Sequence, residues 1–181
     1  MNKLEEKEVL KTPVFTVVEK TFENTGFKPV GLNCKNWVTV IVADGDYDSN
    51  PNVLVVNENR WGWEGNSTGF IFGTAEDDEF VSKTALRELE EESGLHYTSD
   101  DIEPLGHYNP NPAYFNNTMY VFLVKDPDLL KNYNERGTQK LDEDEDCKPY
   151  LERLDNLLNP AKYNFTLNGM VLSALHFWQN N

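Results

Sequence analysis

The chain has 181 residues, of which 39% are hydrophobic and 12% aromatic, enough for one globular domain with a substantial core and short for two. A formal charge of −15 and a pI near 4.5 argue against DNA or RNA as a partner, because phosphate backbones are bound through clustered Lys and Arg. Cys34 and Cys147 are too few for a disulfide framework, Met1–Phe15 has no apolar signal core, and no later segment reaches membrane-span length, so free thiols, no membrane and a cytoplasmic setting are expected.

Pro13–Glu23 alternates and is rich in Val, Phe and Thr, which predicts a strand. Trp37–Ala43 (WVTVIVA) and Val53–Asn57 (VLVVN) predict two more across a cluster of turn formers, the first apolar enough to be buried on both faces. After a Trp-rich stretch and the polar GNST comes a loop, then a helix that Gly94 is placed to end in a left-handed cap. Leu105–Tyr108 and Met119–Lys125 read as strands around the loop NPNPAYFNN. Asp126–Cys147 reads as a long polar excursion, and Asp146–Pro149 as a poor central strand because of its proline. Tyr150–Leu158 and Leu167–Trp178 carry helical spacing. The predicted class is α+β (mixed α/β).

The chemistry concentrates between Gly73 and Leu95. Glu88, Glu91 and Glu92 stand at i, i+3 and i+4, so a helix puts three carboxylates on one face, while Val81, Ala85 and Leu89 form a separate apolar stripe. Like charges so spaced repel in an isolated helix, and a hard divalent cation reverses that sign. A solvated acidic face is the plainer alternative. The spacing favours the cation. Gly73, Glu79 and the run Arg87-Glu88-Leu89-Glu90-Glu91-Glu92-Ser93-Gly94-Leu95 fill every position of G-x5-E-x7-R-E-U-x-E-E-x-G-U, with U aliphatic. This is the Nudix box, and the chain resembles a Nudix hydrolase.

Outside the box the chain is most similar to the ADP-ribose pyrophosphatase branch. Val55–Arg60 (VVNENR) matches that branch's Gln-Tyr-Arg segment at Arg60 and departs from it at Glu58 and Asn59. Asn109–Asn117 is similar to its proline-alanine loop, and Gln139–Glu145 (QKLDEDE) to its acidic Gln-x-Leu-Asp-Glu-x-Glu loop. Where the branch has Pro and a small residue before the box glycine, this chain has Ile71 and Phe72.

The resemblance implies a Nudix-type α/β/α sandwich with a mixed sheet, a single domain over residues 1–181, and residues 1–30 as an arm for homodimerisation. It implies hydrolysis of a diphosphate in ADP-ribose or a related nucleoside diphosphate sugar, with Mg²⁺ as cofactor and Mn²⁺ as a substitute. Its metal ligands would be Glu88, Glu91, Glu92, the Phe72 carbonyl and Glu145. Glu143, Glu88 or Glu92 would serve in catalysis, and Arg87, paired with Glu79, would orient the acids. Arg60 would hold substrate, with a surface ion pair as its alternative; Tyr114 and Phe115 are candidate substrate-wall residues, with loop packing as theirs. Trp37, Trp61 and Trp63 offer faces for a nucleobase or belong to the core. Two rivals stay open: another nucleoside diphosphate derivative such as GDP-mannose or a dinucleotide, and a module that senses a nucleotide without hydrolysing it.

Overall fold

A computed structural model describes residues 3–23, 25–26, 28–60, 65–143, 146–163 and 166–181. Three N-terminal strands, β1 (Lys3–Lys11), β2 (Phe15–Phe22) and β3 (Val30–Cys34), form an antiparallel sheet of their own. The main sheet has seven strands: β4 (Trp37–Ala43), β5 (Asn52–Arg60), β6 (Gly65–Gly69), β7 (Ile71–Thr74), β8 (Ile102–Tyr108), β9 (Met119–Lys125) and β10 (Cys147–Arg153). Its order is β10-β5-β4-β9-β8, with β6 beside β5 and β7 beside β4. Among the described residues, β4 and β9 run parallel and every other strand pair is antiparallel, so the sheet is mixed. Helices α1 (Val81–Ser93), α2 (Leu129–Glu135), α3 (Leu154–Leu158), α4 (Pro160–Tyr163) and α5 (Gly169–Gln179) complete the chain.

Strand periodicity divides the core in two. Val38, Val40 and Val42 of β4, with Leu54, Val56, Phe122 and Val124, pack on the α1 side against Ala85 and Leu89. Ile41 and Ala43, with Val53, Val55, Val121 and Leu123, pack on the other side against Val171, Ala174, Leu175 and Trp178 of α5. The expected burial of WVTVIVA on both faces follows from this placement between two helical layers, and the architecture is the α/β/α sandwich.

Several elements differ from the sequence expectation. Tyr150–Leu158, read as one helix, is strand to Arg153 and helix only from Leu154. Pro149 is accommodated because, among the described residues, β10 is an edge strand paired with β5 alone. The Pro149 carbonyl accepts from the Tyr133 hydroxyl at 2.8 Å, so that residue's polar side faces away from β5 and its missing N–H breaks no ladder bond. The excursion after Asp126 contains α2, docked by the fully buried Leu129. The charged β1 and the Gly- and Ser-containing β6 have little strand propensity and form by pairing with β2 and β5. Among the described residues no helix is long and apolar enough to cross a membrane.

The N-terminal sheet is joined to the main body by the loop NPNPAYFNN. Leu32 donates its N–H to the Tyr114 carbonyl at 2.6 Å, Asn116 N–H returns to the Leu32 carbonyl at 3.2 Å, and Cys34 N–H bonds the Asn116 side chain at 2.9 Å. The Asn109 amide braces the loop from within, through the carbonyls of Phe115 and Asn117.

Candidate active site

Helix α1 lays its apolar stripe on the sheet, which turns the acidic face toward a cavity of about 660 Å³. The cavity is walled by the ends of β5 and β7, by α1 and by the loop that follows Lys140. Gly73 makes the approach of α1 possible: a Cβ built there would overlap Cγ and Cδ of Glu88. At the far end of the helix, Gly94 has φ 73° and its N–H caps the Glu90 carbonyl at 2.9 Å, as the sequence reading expected.

The remaining carbonyls of that last turn hold the acidic loop. Lys140 N–H donates to the Glu91 carbonyl at 2.9 Å, Gly137 N–H to that of Gly94 at 2.9 Å, and the Gln139 side-chain amide to that of Glu92. The same Gln139 nitrogen reaches the Cys147 carbonyl at 3.0 Å, so one side chain ties both ends of the loop to the helix. The Lys140 ammonium pairs with Glu90 and balances part of the charge at the negative end of the helix.

Arg87 organises the acids. Its Nε and Nη2 each lie 3.3 Å from Glu79, Nη2 donates to the Thr74 carbonyl at 3.2 Å, and Nη1 lies 2.9 Å from both Glu88 and Glu91. Burial raises the Glu79 pKa, but the hydrogen bonds from Arg87, Glu76 N–H and Thr84 outweigh it and hold the carboxyl below its ordinary range. The guanidinium stays protonated: burial opposes its charge, yet Glu79, Glu88 and Glu91 push its pKa upward. Box loop, helix and acids are therefore one ion-paired unit.

The cavity brings together Phe72, Arg87, Glu88, Glu91, Glu92 and Arg60. Glu92 is the most enclosed of the acids, at 6% exposure. Phe115 lies one layer back, its ring 5.5 Å from that of Trp37, and Tyr114 is exposed. Glu143 is exposed and off the cavity wall, where Asp142 and Asp146 stand instead. Glu145, Trp61 and Trp63 lie outside the described residues. Among the described residues, His96, His107 and His176 do not line the cavity, and neither cysteine is in a disulfide.

Sequence reading did not single out Glu58, Asp142, Asp146, Cys147 or Val14 as cavity residues. For Glu58 a signal existed: it stands two residues from Arg60 and so shares its face of the strand. Val14 had none, because it comes from the β1–β2 turn and reaches the cavity only through the docking of the N-terminal sheet.

The donor set suits a hard divalent cation. Among the described lining residues, seven are acids (Glu58, Glu76, Glu88, Glu91, Glu92, Asp142, Asp146) and three are bases (Arg60, Arg87, Lys140). Three of the acids occupy the last turns of α1, where the helix dipole adds to their mutual repulsion, and oxygen donors of this kind select Mg²⁺-like ions. Among the described residues no three carboxylates already converge on a common point; Arg87 Nη1 sits between Glu88 and Glu91.

The NUDIX domain family model matches residues 35–167, well over half of the chain. The chain belongs to the Nudix family, and with its box complete it is a Nudix hydrolase. Nudix hydrolases generally use divalent metal ions. The crystal structure of an ADP compounds hydrolase has the same fold, with a TM-score of 0.67 and 23% identity over 99% of this chain and 92% of that one. No curated protein matches in sequence.

Proposed function

We propose that the protein is a Mg²⁺-dependent pyrophosphohydrolase, with Mn²⁺ as a substitute, that cleaves ADP-ribose or a related nucleoside diphosphate sugar into nucleoside monophosphate and sugar phosphate. The observation that carries this reading is one cavity lined by Glu88, Glu91, Glu92, Phe72, Arg60 and the base of the acidic loop. An acid-rich cavity repels a diphosphate unless cations intervene, and that excess of acids supports the metal requirement. The fold shared with an ADP compounds hydrolase supports the choice of substrate.

Glu88, Glu91, Glu92 and the Phe72 carbonyl would hold the metal, with Glu145 completing the set from the loop. When bound, the ion neutralises the diphosphate and lowers the pKa of a water. Arg87 keeps Glu88 and Glu91 facing the cavity. Arg60 donates to the substrate, and Trp37 and Phe72, with ring centroids 5.6 Å apart, present an aromatic wall beside it. Glu143 would take the proton of the attacking water, with Glu88 or Glu92 as the alternative base. A cytoplasmic location fits two cysteines that form no disulfide.

The test is product analysis with Mg²⁺ over ADP-ribose, GDP-mannose, UDP-glucose, a diadenosine polyphosphate and NADH. AMP and ribose 5-phosphate released preferentially from ADP-ribose is the expected result. Preference for another compound retains the chemistry and discards the substrate; no cleavage by folded protein overturns the reading.

We also propose that residues 1–181 form one domain and that residues 1–30 pair a second copy. Val9, Leu10, Val14 and Val30 are each at least 50% exposed on this arm, an unusual concentration of apolar surface. Sedimentation is expected to give a dimer that becomes monomeric when Leu10 and Val14 are replaced by Ser. A monomeric parent chain overturns the proposal.

A further inference from the structure

We propose that Glu58 sets the class of substrate: paired with Arg60, it makes one wall of the cavity fit a neutral, hydroxyl-bearing group and turns away a further phosphate. The inference rests on the pyrophosphohydrolase reading. Glu58 and Arg60 are two residues apart on β5, so both side chains lie on one face, and both line the cavity. Arg60 Nη2 pairs with Glu58 Oε1, with side-chain exposures of 32% and 16%. Each partner is held in place. Glu58 stands between Cys147 on β10 and Ser67 on β6, and the Arg60 guanidinium lies 5.3 Å from the centre of the Phe72 ring.

A carboxylate beside a guanidinium offers an acceptor next to a donor. Sugar hydroxyls match that pattern, since each can donate to Glu58 and accept from Arg60. A phosphate cannot donate. It competes with Glu58 for Arg60 and lies against a largely enclosed carboxylate in a cavity already rich in acids. With glutamine at this position the acceptor remains and the repulsion is gone. Selection then comes from an element that penalises the wrong ligand as much as from one that attracts the right one.

The experiment compares kcat/KM for ADP-ribose with that for ADP-ribose carrying a phosphate on its terminal ribose. The parent enzyme is expected to prefer ADP-ribose. Glu58→Gln is expected to reduce that preference about tenfold, the scale of one unpaired charge, through a lower KM for the phosphorylated compound. Arg60→Gln is expected to move the ratio the other way by leaving Glu58 uncompensated, so either variant tests the idea if the other fails to fold. In the Arg60→Gln background, Glu58→Gln should restore binding of the phosphorylated compound. An unchanged ratio in enzyme active on ADP-ribose overturns this inference alone. A parent enzyme silent on both compounds overturns the ADP-ribose substrate reading and the inference with it.

Discussion

Glu92→Gln is expected to lower kcat on the order of a thousandfold, within the range that a single acid–base or electrostatic group supplies. Glu92 is 6% exposed at the end of α1, its backbone carbonyl is held by Gln139, and its carboxylate lies 3.9 Å from the Cys147 thiol. Glutamine keeps the shape and one acceptor oxygen, and replaces the charged second oxygen with an NH2 donor. Stability without metal should hold or rise slightly, because one of three like charges on a helix face is gone, each pair costing about 0.2–0.5 kcal/mol. The rise in Tm on adding Mg²⁺ should shrink in the same variant. Turnover at the parent rate would remove Glu92 from the chemistry. A ligand-induced Tm shift in a parent chain with no turnover would favour a sensing module.

Gly94→Ala is expected to cost about 3 kcal/mol, combining a left-handed backbone for a residue with a Cβ and a steric overlap. Gly94 has φ 73°, and a Cβ there would overlap the Gly137 carbonyl. For a domain of this size the Tm should fall by about 6–12 °C. Activity should fall with it, because Gly137 opens the segment that carries Gln139, Lys140 and the acidic loop. Gly169→Ala is the control: a Cβ there meets nothing within 4 Å, and the change should stay within about 0.5 kcal/mol. Equal effects from the two substitutions would overturn the capping argument.

The box was readable because local periodicity and spacing coincide in it. One helix carries the acids, Arg87 and the apolar stripe, so the rules of helix faces suffice to bring them together. Edge elements were harder. Tyr150–Leu158 has helical spacing, and only the pairing of Cys147–Arg153 with β5 makes its first half extended. β6 has a sequence that by itself reads as a turn, and β5 supplies its partner groups. Propensity lost to pairing in both cases.

The loop NPNPAYFNN shows the same division within the candidate site. Its sequence left Tyr114 and Phe115 open between substrate wall and packing. In the fold the loop receives β3, and Phe115 backs Trp37. Sequence order alone does not bring Leu32 to Tyr114, eighty-odd residues on.

From the sequence by itself came the helix face, the cap at Gly94, the strands β4, β5, β8 and β9 in outline and the family, all encoded in residues close along the chain. Only the tertiary structure decided which acids face the cavity beside that helix, that Glu58 neutralises Arg60, and that Gln139 clamps the acidic loop to the last turn of α1. Those relations join groups from separate strands and loops. Their geometry is set by strand pairing and by backbone carbonyls seeking donors, which no local pattern of residue types records.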